Sequence, residues 1–300
     1  GDILKLRAKI SYHVLSRREI LISATVVLLI FLGTFQPIFS IAAFALCCLA
    51  MFFMDNTYFI SLLFLLLPIA GIFKLSPGSI SLFTYLELLY VLWRNYRKKF
   101  RLSTGELLAL LFFAYLFITS MAAAPSFSSI PFTDIIKSTV NLLLIGYFSE
   151  IDIDRDNRKL YLYFIAGVLI SSVITLMDCS LFPISKYIVQ KTETFQQLLS
   201  VVRFSGLYGD PNYFSINAIV AMCLAVILYR LKKLNFLCTG GLVAGLLVFI
   251  GMTGSKSSFL MLVIPVMLML YVCAKNRNYT ALLLCVLAIF AIIILVQIGV

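Results

Sequence analysis

Apolar runs long enough to cross a bilayer recur from end to end of this chain, and that recurrence leaves few folds open. A hydrocarbon core about 30 Å thick takes roughly 20 residues of helix. Inside lipid every backbone N–H and C=O must be paired within the structure, so separate apolar runs cross as α-helices. Of 300 residues 62% are hydrophobic and the mean hydropathy is +1.05, against roughly 45–50% apolar content in a soluble domain. The expected fold is all-α: a polytopic bundle of about 11 transmembrane helices. It makes one membrane domain over residues 1–300, and no soluble domain is evident.

Residues 1–19 are polar and carry five cations, and read as a cytoplasmic, partly amphipathic lead-in rather than a cleavable signal peptide. Spans are expected at about 20–35, 38–54, 58–73, 79–93, 105–123, 132–148, 160–178, 212–229, 235–252, 257–273 and 279–298. Turn residues separate them: Gly33 to Pro37, Asp55-Asn56, and Lys74 to Gly78. The fourth span is short and contains Glu87, and it ends in the basic run 94–101. Asp134 and Lys137 open the sixth and can pair on one helix face. Residues 150–159 read as a mixed-charge loop, and 179–211 as a long polar segment between two spans.

Charge then orients the bundle. With the N-terminus placed in the cytoplasm, the inner segments hold eighteen of the 24 lysines and arginines. The outer side holds six: Lys74, Lys137, Lys186, Lys191, Arg203 and Lys256. Lys and Arg collect in cytoplasmic loops of membrane proteins, so the net charge of +11 reads as topology and not as nucleic-acid binding. Segment 179–211 therefore faces outward. The seven cysteines show no metal-ligand spacing, and His13 is the single histidine, so no protein metal site is expected.

Within the outer segment, Val202-Arg203-Phe204-Ser205-Gly206-Leu207-Tyr208-Gly209-Asp210-Pro211-Asn212-Tyr213-Phe214 runs straight into an apolar helix. Gly206 and Gly209 permit positive-φ turns. Asp210-Pro211 reads as an N-cap followed by proline at the first helical position. Arg203 is thus placed on a compact turn beside a helix N-terminus, whose unpaired N–H groups and dipole favour an anion such as phosphate. A guanidinium stays charged and can hold two phosphate oxygens at once. A second stretch, Met252-Thr253-Gly254-Ser255-Lys256-Ser257-Ser258, puts another cation beside glycine at the outer end of a span.

Arg-x-Ser-Gly-Leu followed by Asp-Pro-Asn-x-Phe at the head of a transmembrane helix resembles the O-antigen ligase and polymerase (Wzy/WaaL-like) superfamily. The second stretch is similar to the Thr-Gly-Ser-Arg of that family, with Lys256 in place of the usual arginine. Lysine gives a compact charge but not the bidentate grip. The resemblance implies a GT-C-like bacterial plasma-membrane glycosyltransferase, multi-pass with the N-terminus in the cytoplasm. Its donor would be a glycan on undecaprenyl pyrophosphate, and its acceptor another lipid-linked repeat unit or a lipid A core. It implies no cofactor, divalent metal, nucleotide sugar or nucleic acid. The partners are lipid-linked substrates, the bilayer and other polysaccharide-assembly proteins. Polymerisation of repeat units is the first expectation, and ligation to lipid A core or another acceptor the alternative. Ligases of the family carry an important histidine in a large outer loop late in the chain. The last span reaches the outer face at Val300 and the chain opens without Met, so a longer native protein is expected, with that loop past Val300.

Arg203 is the expected catalytic and pyrophosphate-binding residue, joined at the pyrophosphate by Lys256 and Ser255. Ser205, Gly206, Gly209, Pro211 and Asn212 are expected to shape the turn. Asp210 is expected to aim it, with action on the acceptor hydroxyl as the other reading. Ordinary readings stand beside these. A membrane-edge arginine or lysine commonly snorkels to headgroups, and Asp-Pro starts helices without any ligand. Lys186, Lys191 and Glu193 fit a solvated loop. The competing class is a secondary transporter or flippase for an anion, which would place ionisable groups at mid-membrane; Glu87 is the main candidate for that.

Overall fold

The computed structural model describes residues 16–97, 104–123, 135–136, 138–139, 153–177, 184–187 and 204–275. Their regular elements are all helices, with no strand among the described residues. The helices are α1 (Arg17–Gly33), α2 (Pro37–Phe53), α3 (Asn56–Leu66), α4 (Leu82–Arg97), α5 (Thr104–Ala123), α6 (Ile153–Leu176), α7 (Pro211–Arg230), α8 (Phe236–Thr253), α9 (Lys256–Met261) and α10 (Val263–Lys275). Four stretches, Thr104–Ala123, Arg158–Leu176, Pro211–Arg230 and Phe236–Thr253, are long and apolar enough to cross a membrane. Shorter apolar helices accompany them at Pro37–Phe53, Asn56–Ile69 and Val263–Lys275. The chain is a helical membrane protein. The bulk of the expected sixth span, the eleventh span, the Asp134/Lys137 pair, Lys191, Glu193 and Arg203 lie outside the described residues.

Local chemistry sets most helix limits. Ser16 and Glu19 form a reciprocal capping box at the head of α1, with Ser16 Oγ accepting from the Glu19 N–H at 3.2 Å and Glu19 Oε2 accepting from the Ser16 N–H at 3.1 Å. Pro37 and Pro211 each stand in the first turn of their helix, where a missing N–H costs nothing. Three expectations change. The third span stops at Leu66 and tightens into a 3₁₀ turn, Leu67–Ile69, because Pro68 cannot continue the helical ladder. The tenth divides into α9 and α10 at Leu262, since the Pro265 ring clashes with the carbonyl of Met261 four residues back. Residues 153–159, expected in a loop, already belong to α6.

That early start has a structural use. Lys159 pairs with Glu19 of α1, so the mixed-charge segment ties helix starts together. Tyr58 of α3 donates to the Glu19 carbonyl at 3.2 Å, and Ser23 lies between Tyr58 and Tyr163, at 3.0 and 3.2 Å. At the same end Tyr90 of α4 donates to Asn56 at 2.8 Å and receives a bond from Arg94 at 3.0 Å. The opposite end is joined differently. Lys74 donates to the Tyr187 carbonyl at 3.1 Å, and the Tyr187 hydroxyl donates to the Thr34 carbonyl at 3.3 Å.

α6 lies at the centre. One apolar core gathers α1 to α4 with one side of α6, and a second gathers α6, α7 and α8. Gly167 lets α6 approach the end of α3, where a Cβ would stand 2.4 Å from the Leu65 carbonyl oxygen. α5 buries little of its surface. Large apolar side chains such as Leu108, Ile118, Leu237 and Leu260 are exposed on the bundle, as a lipid-facing surface requires.

Candidate functional site

The turn ahead of α7 folds as its glycines dictate. Gly206 (φ +57°) and Gly209 (φ +75°) both take left-handed conformations and bracket a 3₁₀ turn, Gly206–Tyr208. Gly206 is constrained twice: a Cβ there would lie 2.4 Å from Cδ2 of the fully buried Phe214. Asp210 then caps α7, its Oδ1 accepting from the Asn212 N–H at 2.8 Å, and Pro211 follows at the first helical position. Asp210 therefore does what an N-cap does, with Gly206, Gly209 and Pro211 placed in and after the turn. Ser205 is buried, its hydroxyl 3.3 Å from the Gly206 carbonyl.

The second stretch begins where α8 ends. Gly254 closes that helix at φ +59°, Ser255 is the N-cap of α9, and Lys256 is its first residue. Two segments some forty residues apart in sequence then meet. The Phe204 N–H donates to the Met252 carbonyl at 3.2 Å. The Ser255 hydroxyl donates to Asn212 Oδ1 at 2.7 Å. Ser215 of α7 lies 3.2 Å from the Thr253 hydroxyl. Around these bonds the Phe204 ring stacks on Phe249 and meets Phe214 edge-on, with centroids at 5.4 and 5.0 Å.

The joined segments are seated on the bundle from the other side as well. The Leu207 N–H donates to Ser171 Oγ of α6 at 3.1 Å, and the Leu207 carbonyl sits against Gly71, where a Cβ would be 1.9 Å from its oxygen. The turn is held between α6 and the segment that follows α3. Sequence reading did not single out Ser171, Gly71, Ser215 or Phe249 as site supports. A serine pair inside an apolar span, Ser171-Ser172, was the visible signal.

Of the sequence-predicted site residues, Ser205, Gly206, Gly209, Asp210, Pro211, Asn212 and Ser255 share this one constellation, and Lys256 opens α9 beside it. Arg203 precedes the anchored Phe204 and lies outside the described residues. Ser255 has its proton on Asn212 and accepts from the Ser258 N–H at 3.4 Å, so its hydroxyl joins the two segments and caps α9. The electrostatics are mixed. The 20-residue α7 directs its positive end here, while the Asp210 carboxylate takes up one of its N–H groups and opposes an anion. No family model, curated protein or solved structure matches the chain.

Proposed function

We propose that this protein is a membrane glycosyltransferase that joins undecaprenyl-pyrophosphate-linked oligosaccharide repeat units into polymer. The supporting observation is the union of the two motif stretches: the Arg203-bearing segment is bonded to the Lys256-bearing segment through Phe204–Met252 and Asn212–Ser255. The resemblance carries the chemistry, and the geometry is compatible with it. The hydroxyl of one repeat unit attacks the anomeric carbon of the other. The new C–O bond forms as the bond to pyrophosphate breaks, the electron pair leaves on the pyrophosphate oxygen, and the hydroxyl proton passes to water. The donor is already activated, so the protein's tasks are positioning both sugars and stabilising the leaving diphosphate with fixed cations. A transporter would need its anion site at mid-depth, whereas both motif stretches sit at helix ends.

Full-length protein purified in detergent is expected to lengthen lipid-linked repeat units and release undecaprenyl pyrophosphate, with chelator present and without nucleotide sugar or ATP. Glycan length on gels and the released lipid are the readouts. Movement of substrate across liposomes, with no chain growth or transfer, would establish a transporter instead. Transfer to lipid A core without chain growth would establish a ligase.

In this reading the motif end of the bundle faces outward. Single-cysteine variants in a cysteine-free background are expected to label from outside intact cells at position 196 and not at position 98. The reverse pattern would invert the topology and place the site in the cytoplasm.

A further inference from the structure

Among the described residues, the tyrosines packed into the bundle divide into two kinds. Tyr58 donates to the Glu19 carbonyl, Tyr90 to Asn56 and Tyr187 to the Thr34 carbonyl, while Tyr163 accepts from Ser23. Each hydroxyl is matched within the bundle, as buried phenols ordinarily are. Tyr208 breaks the pattern. It is half-buried, with its hydroxyl oxygen withdrawn from solvent and without a hydrogen-bond partner among the described residues. The residue stands in the 3₁₀ turn between Gly206 and Gly209, two positions before the N-cap of α7, with its ring against Phe214 at 6.3 Å.

Phenylalanine would make the same ring contact without leaving a buried polar group unmatched, which is destabilising. A hydroxyl that the fold does not use, inside the segment that joins the two motif stretches, points to a ligand. We propose that Tyr208 donates a hydrogen bond to a phosphate oxygen of the lipid-linked donor, an inference that rests on the glycosyltransferase reading above. Burial pushes the Tyr208 phenol well above its ordinary value, so it keeps its proton and acts as a neutral donor throughout the working pH range. Negative charge grows on the leaving diphosphate as the glycosidic C–O bond breaks, and a fixed donor aimed at that oxygen strengthens with it. The tyrosine gives up no proton in the step; it shares one. Its effect therefore falls on turnover more than on substrate capture.

The test is Tyr208→Phe in the full-length protein. Steady-state polymerisation with purified lipid-linked repeat units gives kcat and KM, and thermal unfolding in the same detergent gives stability. The expected result is a kcat about tenfold or more below wild type, KM within about threefold, and an unfolding temperature equal to or above wild type. A merely structural hydroxyl would lower the unfolding temperature, and that outcome overturns the proposal. Wild-type kcat in the variant also overturns it while leaving the glycosyltransferase reading intact. A wild-type protein that makes no polymer and transfers to no acceptor overturns that reading, and the role of Tyr208 with it.

Discussion

Arg203→Ala is expected to lower polymer formation about 10²–10³-fold, the loss seen when one charge-stabilising donor is removed from a transition state. Arg203→Lys is expected to recover only a minor part of that activity. Lysine restores the positive charge, but it presents one strongly hydrated ammonium in place of the planar fork that binds two phosphate oxygens together. A headgroup-seeking arginine behaves differently: there lysine substitutes freely, because only the charge and the long aliphatic stem matter. The pair of variants thus separates the two roles of a membrane-edge cation. Chain-growth rate with purified repeat units is the measurement, alongside size-exclusion profiles to establish that both variants remain folded. Wild-type rate in Arg203→Ala would remove the residue from the site.

The same contrast bears on Lys256 in the proposed mechanism, where the family that the stretch resembles carries arginine. If a fork is what the second phosphate contact needs, Lys256→Arg gains rather than loses. If α9 merely needs a cation at the boundary, the exchange is silent. Asp210 sharpens the question, since its carboxylate caps the positive end of α7 and leaves that helix end a weaker anion site than its length implies. In the proposed mechanism diphosphate binding then leans on side chains, and the two cations become the residues worth exchanging first.

How far the sequence could be read follows from what kind of signal each feature leaves. Among the described residues most helix positions were legible, because apolar periodicity and length are local properties. The N-cap at Asp210, the left-handed Gly206 and Gly209 and the closing Gly254 were legible or nearly so, because each rests on a few adjacent residues. Pro68 and Pro265 break their helices inside apolar runs that continue on both sides, so hydropathy alone hides both breaks. Contacts between distant segments leave no local signal. Nothing around Gly71 shows that it faces the Leu207 carbonyl, and nothing around Ser171 shows that it receives the Leu207 N–H. The bonds Phe204–Met252 and Asn212–Ser255, which join the two stretches in space, are of the same non-local kind.

Gly71→Ala is expected to damage activity nearly as much as loss of a direct contact, although Gly71 touches no substrate in the proposed mechanism. An added Cβ would stand 1.9 Å from the Leu207 carbonyl oxygen and 3.1 Å from its carbonyl carbon. Those are backbone atoms, so no side-chain rotation relieves the overlap. Either the segment after α3 retreats or the Gly206–Tyr208 turn lifts from its seat, breaking the bond between the Leu207 N–H and Ser171. Overpacking of this kind costs about 1–3 kcal/mol. A displacement near 1 Å at the turn that precedes α7 costs on the order of 10²-fold in rate. Gly245→Ala is the matched control: that glycine lies within α8 with nothing within 4 Å of its would-be Cβ, and alanine favours helix over glycine by about 1 kcal/mol. The control is expected to keep wild-type rate with equal or greater stability. Polymerisation and thermal unfolding measured together decide the matter. Wild-type behaviour of Gly71→Ala in both would mean that the turn is not held against the segment after α3, and its position would no longer account for how the two motif stretches are brought together.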